Sequence, residues 1–448
     1  MTATQILELI RTRQLSAVEA LEACLTRIHD ENPRINAVVT IDEEGARQRA
    51  READEALSRG ELWGPLHGLP MTLKDGHSTA GMRTTSGYEP LRDYVPTSDG
   101  TVAARLKAAG AIIFGKTNVS PLLGNIQSDN PIFGRKNNPW HVDRTSGGSS
   151  GGAAAALSTG MTPLEVGSDY AGSIRIPSAF CGVYGLKTTE HRVSMWGHIP
   201  DLPNHTRRHR ILWSIGPMAR SIEDLALCYR VIAGPDGKDM DVPPLGQPAT
   251  DNRQPTTGLK LAWACTFPGV PVQRSIRESI MGVMAKLEQS GVRVGETLPQ
   301  VDFKELAQER LILSRSVMDD TDLPSLEEYI KALDARDRIT RLWEAFFQEW
   351  DALICPVSMT TAFPHCSTDT PIGVDSEEVN YWRAIGHCAP FNFTGHPVVS
   401  LPVGWDGEGL PIGVQLVSKR WSEEKLLGIA RAIAPIIDFK LPEKQSPS

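Results

Sequence analysis

From Gly64 onward the chain takes on a texture that leaves few folds open: short apolar or β-branched runs alternate with helical stretches. The runs cover 70–73, 111–114 and 211–215, and the helical stretches cover 101–109, 153–158 and 221–232. Short apolar runs between turn residues read as buried strands, and helices alternating with them must cover the sheet they form. The expected fold is therefore α/β, one large domain with a central mixed β-sheet covered by helices. Ahead of this region, residues 1–60 read as helical, with apolar positions at Ala17, Leu21, Leu25 and Ile28 and a charged helix over 43–59. A Pro/Gly/Asp-rich link occupies 234–258. Beyond it come a strand at 259–264, a helix at 272–290, a charged helical insert at 300–350, and strands at 352–355, 398–402 and 413–417. Strand material on both sides of a helical middle predicts one sheet completed late, so residues 1–448 read as a single domain around a core at 64–233.

Composition narrows the function more than the fold. With 448 residues, 40% hydrophobic and 22% charged, the chain can bury a large core. A formal charge of −8 argues against a nucleic-acid surface or a polybasic membrane patch. Seven scattered cysteines without a CxxC pair suit reduced thiols, and the N-terminal stretch reads as an amphipathic helix rather than a signal peptide. No apolar run approaches the ~18 residues that span a bilayer. The expectation is a cytoplasmic protein acting on a small molecule, with no nucleic-acid or membrane partner and with a homodimer left open. Eleven histidines show no HExxH or other ligand spacing, so neither metal nor cofactor is expected.

Three motifs compete for the chemistry. GAIIFGKT at 110–117 satisfies the P-loop expression, but its middle residues are strand-like and Asn118-Val-Ser-Pro cannot open a long helix. GGSSGG at 147–152 satisfies G-x-S-x-G twice, yet no apolar β-branched run precedes it as a nucleophile elbow requires. The third pattern is a constellation. TSGGSSGG at 145–152 opens an alanine-rich helix, GSDYAGS at 167–173 forms a second small-residue loop, and Lys74 ends the apolar run Leu69-Pro-Met-Thr-Leu. Backbone N–H groups of such small-residue loops make concave anion sites.

In GLPMTLKDG, TSGGSSGGAAAAL and GSDYAGSIRIPSAFCGVYGLKTT the chain resembles the signature blocks of the amidase-signature hydrolases. NNPWHVDRTS, DALICPV, PFNFTGHPVVSLPVG and GLPIGVQLV extend the resemblance over most of the sequence. It implies a catalytic set of Lys74, Ser149 and Ser173, with Ser149 following a cis peptide and Ser173 attacking the substrate. It also implies an oxyanion hole from the N–H groups of Tyr170, Ala171, Gly172 and Ser173. The family usually has Gly-Gly before the nucleophile where this chain has Ala171-Gly172, and alanine keeps its N–H. Gln127, Ser128, Ser150 and Tyr170 are the expected substrate contacts, and Asn130 lies in the same polar loop. The run from His191 to Arg210, with Arg192, His198, His205, Arg207, Arg208 and His209, reads as a solvated loop, with attraction of an anionic substrate the alternative. The loop NIQSDNPIFG departs from the pattern of the amidotransferase subunit that matures charged tRNA in this family. The expectation is therefore a stand-alone amidase, with carbamate hydrolysis, as in a urethanase, the alternative, and a non-catalytic or amidotransferase subunit the remoter one.

A serine hydroxyl needs a base, and a neutral lysine amine serves as one in Ser–Lys variants of the triad. Desolvation lowers a lysine pKa by up to ~3–5 units, enough to bring it from ~10.4 to the catalytic range of ~7–8.

Overall fold

The computed structural model describes residues 1–199, 210–246, 258–318 and 322–442. Helices begin where the local chemistry favours it. Thr2, Ser16 and Ser325 accept hydrogen bonds from the backbone of Gln5, Glu19 and Glu328, whose side chains bond back to the cap backbone. These reciprocal pairs start Ala3–Arg11, Ala17–Ile35 and Leu326–Glu349 by satisfying N–H groups that lack partners in the helix. The all-helical reading of residues 1–60 fails at Val38–Ile41, a strand between Ala17–Ile35 and Glu43–Ser58.

Eight strands form the central sheet, in the order Arg293–Glu296, Lys260–Trp263, Ala352–Pro356, Pro411–Val417, Val398–Trp405, Tyr184–Lys187, Ser214–Ala219 and Leu164–Asp169. The first three run parallel and the remaining pairs antiparallel, so the sheet is mixed. Strands from the end of the chain lie between earlier ones, as a late-completed sheet requires. Val38–Ile41, Ile112–Thr117 and Pro70–Lys74 make a second, three-stranded sheet. The P-loop-like stretch is therefore a strand, and the buried Lys116 amine donates to Thr79 Oγ1 at 2.7 Å.

Between the two sheets runs Gly151–Thr159, GGAAAALST, which touches strands of both. It has no polar face because all of it but Ser158 is buried, and its small side chains let the neighbouring strands come close. A Cβ on Gly152 would stand 2.3 Å from the Asn118 backbone N, so only glycine fits there.

The helical insert forms Phe303–Met318 and Leu326–Glu349. Leu306, Leu313, Ile339, Trp343 and Phe347 join the main core, so both helices are fixed by burial. The described part of the link is also packed down: Asp236 accepts from Ser194 Oγ at 2.6 Å, and Arg105 donates to Ile232 O and Pro235 O. No helix among the described residues is long and apolar enough to cross a membrane.

Candidate active site

Lys74 ends the buried strand Pro70–Lys74, and the chain places its amine against the loop that opens Gly151–Thr159. Nζ lies 2.8 Å from Ser149 Oγ, 2.7 Å from Ser150 Oγ and 3.0 Å from Ser168 Oγ, with Ser168 O at 3.3 Å. Lys74, Ser149, Ser150 and Ser168 are all fully buried. Burial pushes the lysine down to about 7, against the opposing pull of Asp169 and Glu165. The positive end of the Gly151–Thr159 helix acts in the same sense, because it disfavours a neighbouring cation. A neutral amine has two protons and one lone pair, so it cannot donate to all three hydroxyls. One of them must donate to it. Ser149 follows a cis peptide after Gly148.

The second loop, residues 169–175, is held by one carboxylate. Asp169 Oδ1 accepts from the Gly172 N–H and from Arg175 Nη2, both at 2.8 Å. Asp169 Oδ2 accepts from the Ile174 N–H and Arg175 Nε, both at 3.0 Å. Both side chains of this ion pair are fully buried. Burial alone would raise the Asp169 pKa, but the Arg175 guanidinium holds it well below the usual carboxylate range. Arg175 is satisfied further by Gln415 Oε1 at 2.6 Å and Cys388 O at 2.9 Å. The pair braces the backbone on both sides of Ser173.

Because the Gly172 N–H is committed to Asp169, Gly172 is withdrawn from the oxyanion donors expected from the sequence. Among the described residues, no partner takes up the N–H groups of Tyr170, Ala171 and Ser173. Gly172 adopts φ +112°, whereas Ala171 does not have positive φ, so alanine is tolerated where the family usually has glycine.

Ser173 borders a cleft of ≈ 1140 Å³ whose lining is mainly apolar and includes Ile126, Val270, Phe303, Leu306 and Ile385. The insert supplies one wall of the cleft, residues 301–314. Tyr170 lies on the cleft, with its hydroxyl 2.6 Å from Ser314 Oγ. The Ser150 N–H donates to Ser173 O at 3.1 Å and ties the two loops together. Among the described residues no hydrogen bond joins the hydroxyls of Ser149 and Ser173; such contacts commonly tighten only when substrate is bound.

Three expected substrate contacts face elsewhere. Gln127 Nε2 donates to Cys366 O at 2.7 Å and to the Tyr381 hydroxyl at 3.1 Å. Ser128 Oγ donates to Gly147 O and Ser149 O, both at 3.2 Å, and so braces the small-residue loop. Ser150 belongs to the lysine cluster. Their neighbours Asn125 and Ile126 reach the cleft instead. Asn130 also points inward, to Asn118 and Val119.

In the basic run, Arg192 is buried and donates to the Tyr229 hydroxyl at 2.7 Å, and His198 is buried beside His77 and Trp213. The solvated-loop reading therefore fails for these two residues, while His205, Arg207, Arg208 and His209 lie outside the described residues. Sequence reasoning missed Ser168, Asp169 and Arg310, although the first two stand inside the GSDYAGSIR block.

An α/β fold that presents a buried lysine–serine cluster beside a cleft bordered by Ser173 defines the class of the molecule. Residues 19–322 and 296–427 match the family model described as Amidase, and the chain belongs to the amidase-signature family. A glutamyl-tRNA(Gln) amidotransferase subunit from Roseiflexus castenholzii (strain DSM 13941 / HLO8) is 33% identical to it, over 99% of this chain and 97% of the relative. A bacterial aryl acylamidase of the amidase-signature family superposes with a TM-score of 0.84 at 25% identity, covering 97% of this chain and 96% of that one. Fatty acid amide hydrolase, 23% identical, shares the fold with a TM-score of 0.86 over 99% of this chain and 86% of that one.

Proposed function

We propose that this chain hydrolyses an amide C–N bond with Ser173 as nucleophile, Ser149 as proton bridge and Lys74 as base. The observation that carries the reading is a fully buried lysine amine, pushed down to about 7 and 2.8 Å from Ser149 Oγ, while Ser173 borders the cleft. In this scheme Ser149 passes its proton to Lys74 and takes that of Ser173, whose Oγ attacks the carbonyl carbon. The C=O electrons move to oxygen, and the N–H groups of Tyr170, Ala171 and Ser173 stabilise the charge. On collapse the C–N bond breaks and the proton returns through Ser149 to the leaving amine. Water, activated by the same route, then hydrolyses the acyl-enzyme to the acid. A carbamate follows the same steps.

The wide apolar cleft suits bulky aryl amides and aryl carbamates, in line with the structural similarity to an aryl acylamidase. A second reading rests on the curated relatives, which are amidotransferase subunits: the chain would supply amide hydrolysis to partner subunits. A panel of anilides, aryl carbamates, ureas and L-glutamine separates the two. Amine release from the aryl substrates is expected. Ammonia release from L-glutamine faster than from any of them would replace the first reading by the second. Ser173→Ala should abolish turnover with the fold intact, and a phosphonyl fluoride should label Ser173. Wild-type turnover in Ser173→Ala, or label on Ser150, would refute the nucleophile assignment.

A further inference from the structure

Two side-chain bridges join Pro70–Lys74, the strand that ends in the lysine, to the strand Leu164–Asp169. Lys74 Nζ reaches Ser168 Oγ at 3.0 Å, and Thr72 Oγ1 donates to Glu165 Oε1 at 2.7 Å. Side chains alternate along a strand, so Thr72 and Lys74 project to the same side of theirs. The Glu165 carboxyl is fully buried there, and its other oxygen, Oε2, accepts from the Val166 N–H at 3.0 Å. Both donors are neutral, and among the described residues Glu165 forms no ion pair. Lys116, a cation that acts on it, turns its amine to His77 O and Thr79 Oγ1 instead. A buried carboxyl without a bonded cation is costly to keep, and an apolar residue would fill the place without that cost.

The other titratable groups of this neighbourhood are spoken for. Cys228, on the helix Ile222–Ile232, is a thiol that burial pushes well up, and Asp224 on the same helix accepts from the N–H groups of Ala3 and Thr4. Burial holds His77 neutral. Asp75 accepts from the N–H and hydroxyl of Thr85, and Asp169 is committed to Arg175. Burial pushes Glu165 up to about 7 and Lys74 down to about 7, so the two change charge over the same interval. A negative charge at Glu165 favours the protonated amine and opposes the downward push of burial. Without it burial would take the amine lower, and a base whose pKa falls further below the working pH is a weaker one.

We propose that Glu165 is a positioning residue for the base: its carboxylate, carried on the strand that also holds Ser168 against Lys74, sets the pH range in which the Lys74 amine takes the proton of Ser149. The proposal rests on the hydrolase reading above and adds to it the group that tunes the base.

The test measures the pH dependence of kcat/KM in the wild type, Glu165→Gln and Thr72→Val, with whichever anilide or carbamate of the panel is turned over fastest. In parallel, the ¹³Cε resonance of Lys74, assigned by its absence from Lys74→Met, reports the titration of the amine without turnover. Glu165→Gln keeps the shape and removes the charge. Its acid limb and its resonance midpoint should both move about one pH unit lower, as loss of a nearby opposite charge implies, and the plateau should drop. Thr72→Val removes the hydroxyl that favours the ionised carboxylate, so both midpoints should move the same way by less. A role in packing alone would lower the melting temperature and move neither midpoint. Midpoints that stay in place in folded Glu165→Gln, or that move to higher pH, therefore overturn the proposal while leaving the hydrolase reading intact. Should Glu165→Gln not fold, Thr72→Val decides by the same two outcomes. Should no panel member be turned over and Ser173 resist phosphonyl fluoride, the hydrolase reading fails on its own, and the resonance midpoint still decides whether Glu165 governs the amine.

Discussion

Replacing Lys74 with methionine keeps the length of the apolar stem and removes the amine, which makes it the sharpest probe of the buried base. Burial carries this lysine from an unfolded value of 10.5 to about 7 in the folded chain. At about 1.4 kcal/mol per pH unit, that shift is worth about 5 kcal/mol against the folded state when the lysine is protonated. The folded form binds fewer protons than the unfolded form between the two values, so the penalty is complete below about pH 7. It fades as pH rises and is gone above 10.5. Methionine removes the penalty but strips Ser149, Ser150 and Ser168 of their shared partner, at about 1–3 kcal/mol for each hydroxyl left unpaired. These effects offset each other near neutrality, so the discriminating quantity is the pH dependence of the difference. Lys116, Lys136 and Lys187 are also buried and pushed down, to about 8, 7 and 7, but they titrate in both proteins and cancel. Urea unfolding of both proteins from pH 7.5 to 9.5 should show the wild type gaining on the variant by about 1.4 kcal/mol per pH unit. In parallel, wild-type kcat/KM should rise through about pH 7, and Lys74→Met should lose both the rise and orders of magnitude in rate. A stability difference that does not change with pH would refute the desolvation argument. A Lys74→Met profile that kept the wild-type rise would assign the base to another group.

Two substitutions probe the second loop. Gly172→Ala forces a side chain into φ +112°, with its Cβ 2.8 Å from Ile176 Cδ1 and 2.9 Å from Cys388 Sγ. It should cost about 1–3 kcal/mol in urea unfolding and reduce kcat by displacing the flanking N–H groups, and an unchanged kcat would show that the loop geometry does not matter. Asp169→Asn leaves Arg175 buried without its counter-charge and turns an amide NH₂ toward existing donors, so about 3–5 kcal/mol of stability should be lost. A melting temperature within a degree or two of wild type would mean that the loop is braced elsewhere.

What could be read from the sequence depended on how local its physical cause was. The loop TSGGSSGG and the helix after it were legible because close approach of neighbouring backbone excludes large residues at those positions, as at Gly152 against Asn118. Lys74 was legible as a charge ending an apolar run within GLPMTLKDG, one of the blocks that carry the family resemblance. Val38–Ile41 was hidden because four residues between two helices are too few to show a period of two. The run at 211–215 registers as Ser214–Ala219 because Gly216 and Pro217, ordinarily a turn signal, lie inside the real strand.

The side chains misplaced by sequence reasoning share a different cause. Gln127, Ser128 and Ser150 are polar residues beside the site, and proximity along the chain does not say which way a loop side chain turns. Here the buried backbone carbonyls of Gly147 and Ser149, and the lysine amine, needed partners, and the nearest polar side chains turned inward to supply them. Arg310 is the converse case. It stands on a helix that also carries Lys304, Glu305, Glu309 and Arg315, where any one charge reads as solvent-facing. Only when the insert packs through Leu306 and Leu313 onto the main core does the helix turn Arg310 toward the cleft. The chemistry of the small-residue loops is written into the sequence through constraints on neighbouring backbone. The charge that faces the cleft is set by which side of an amphipathic helix the core selects, and that choice is tertiary.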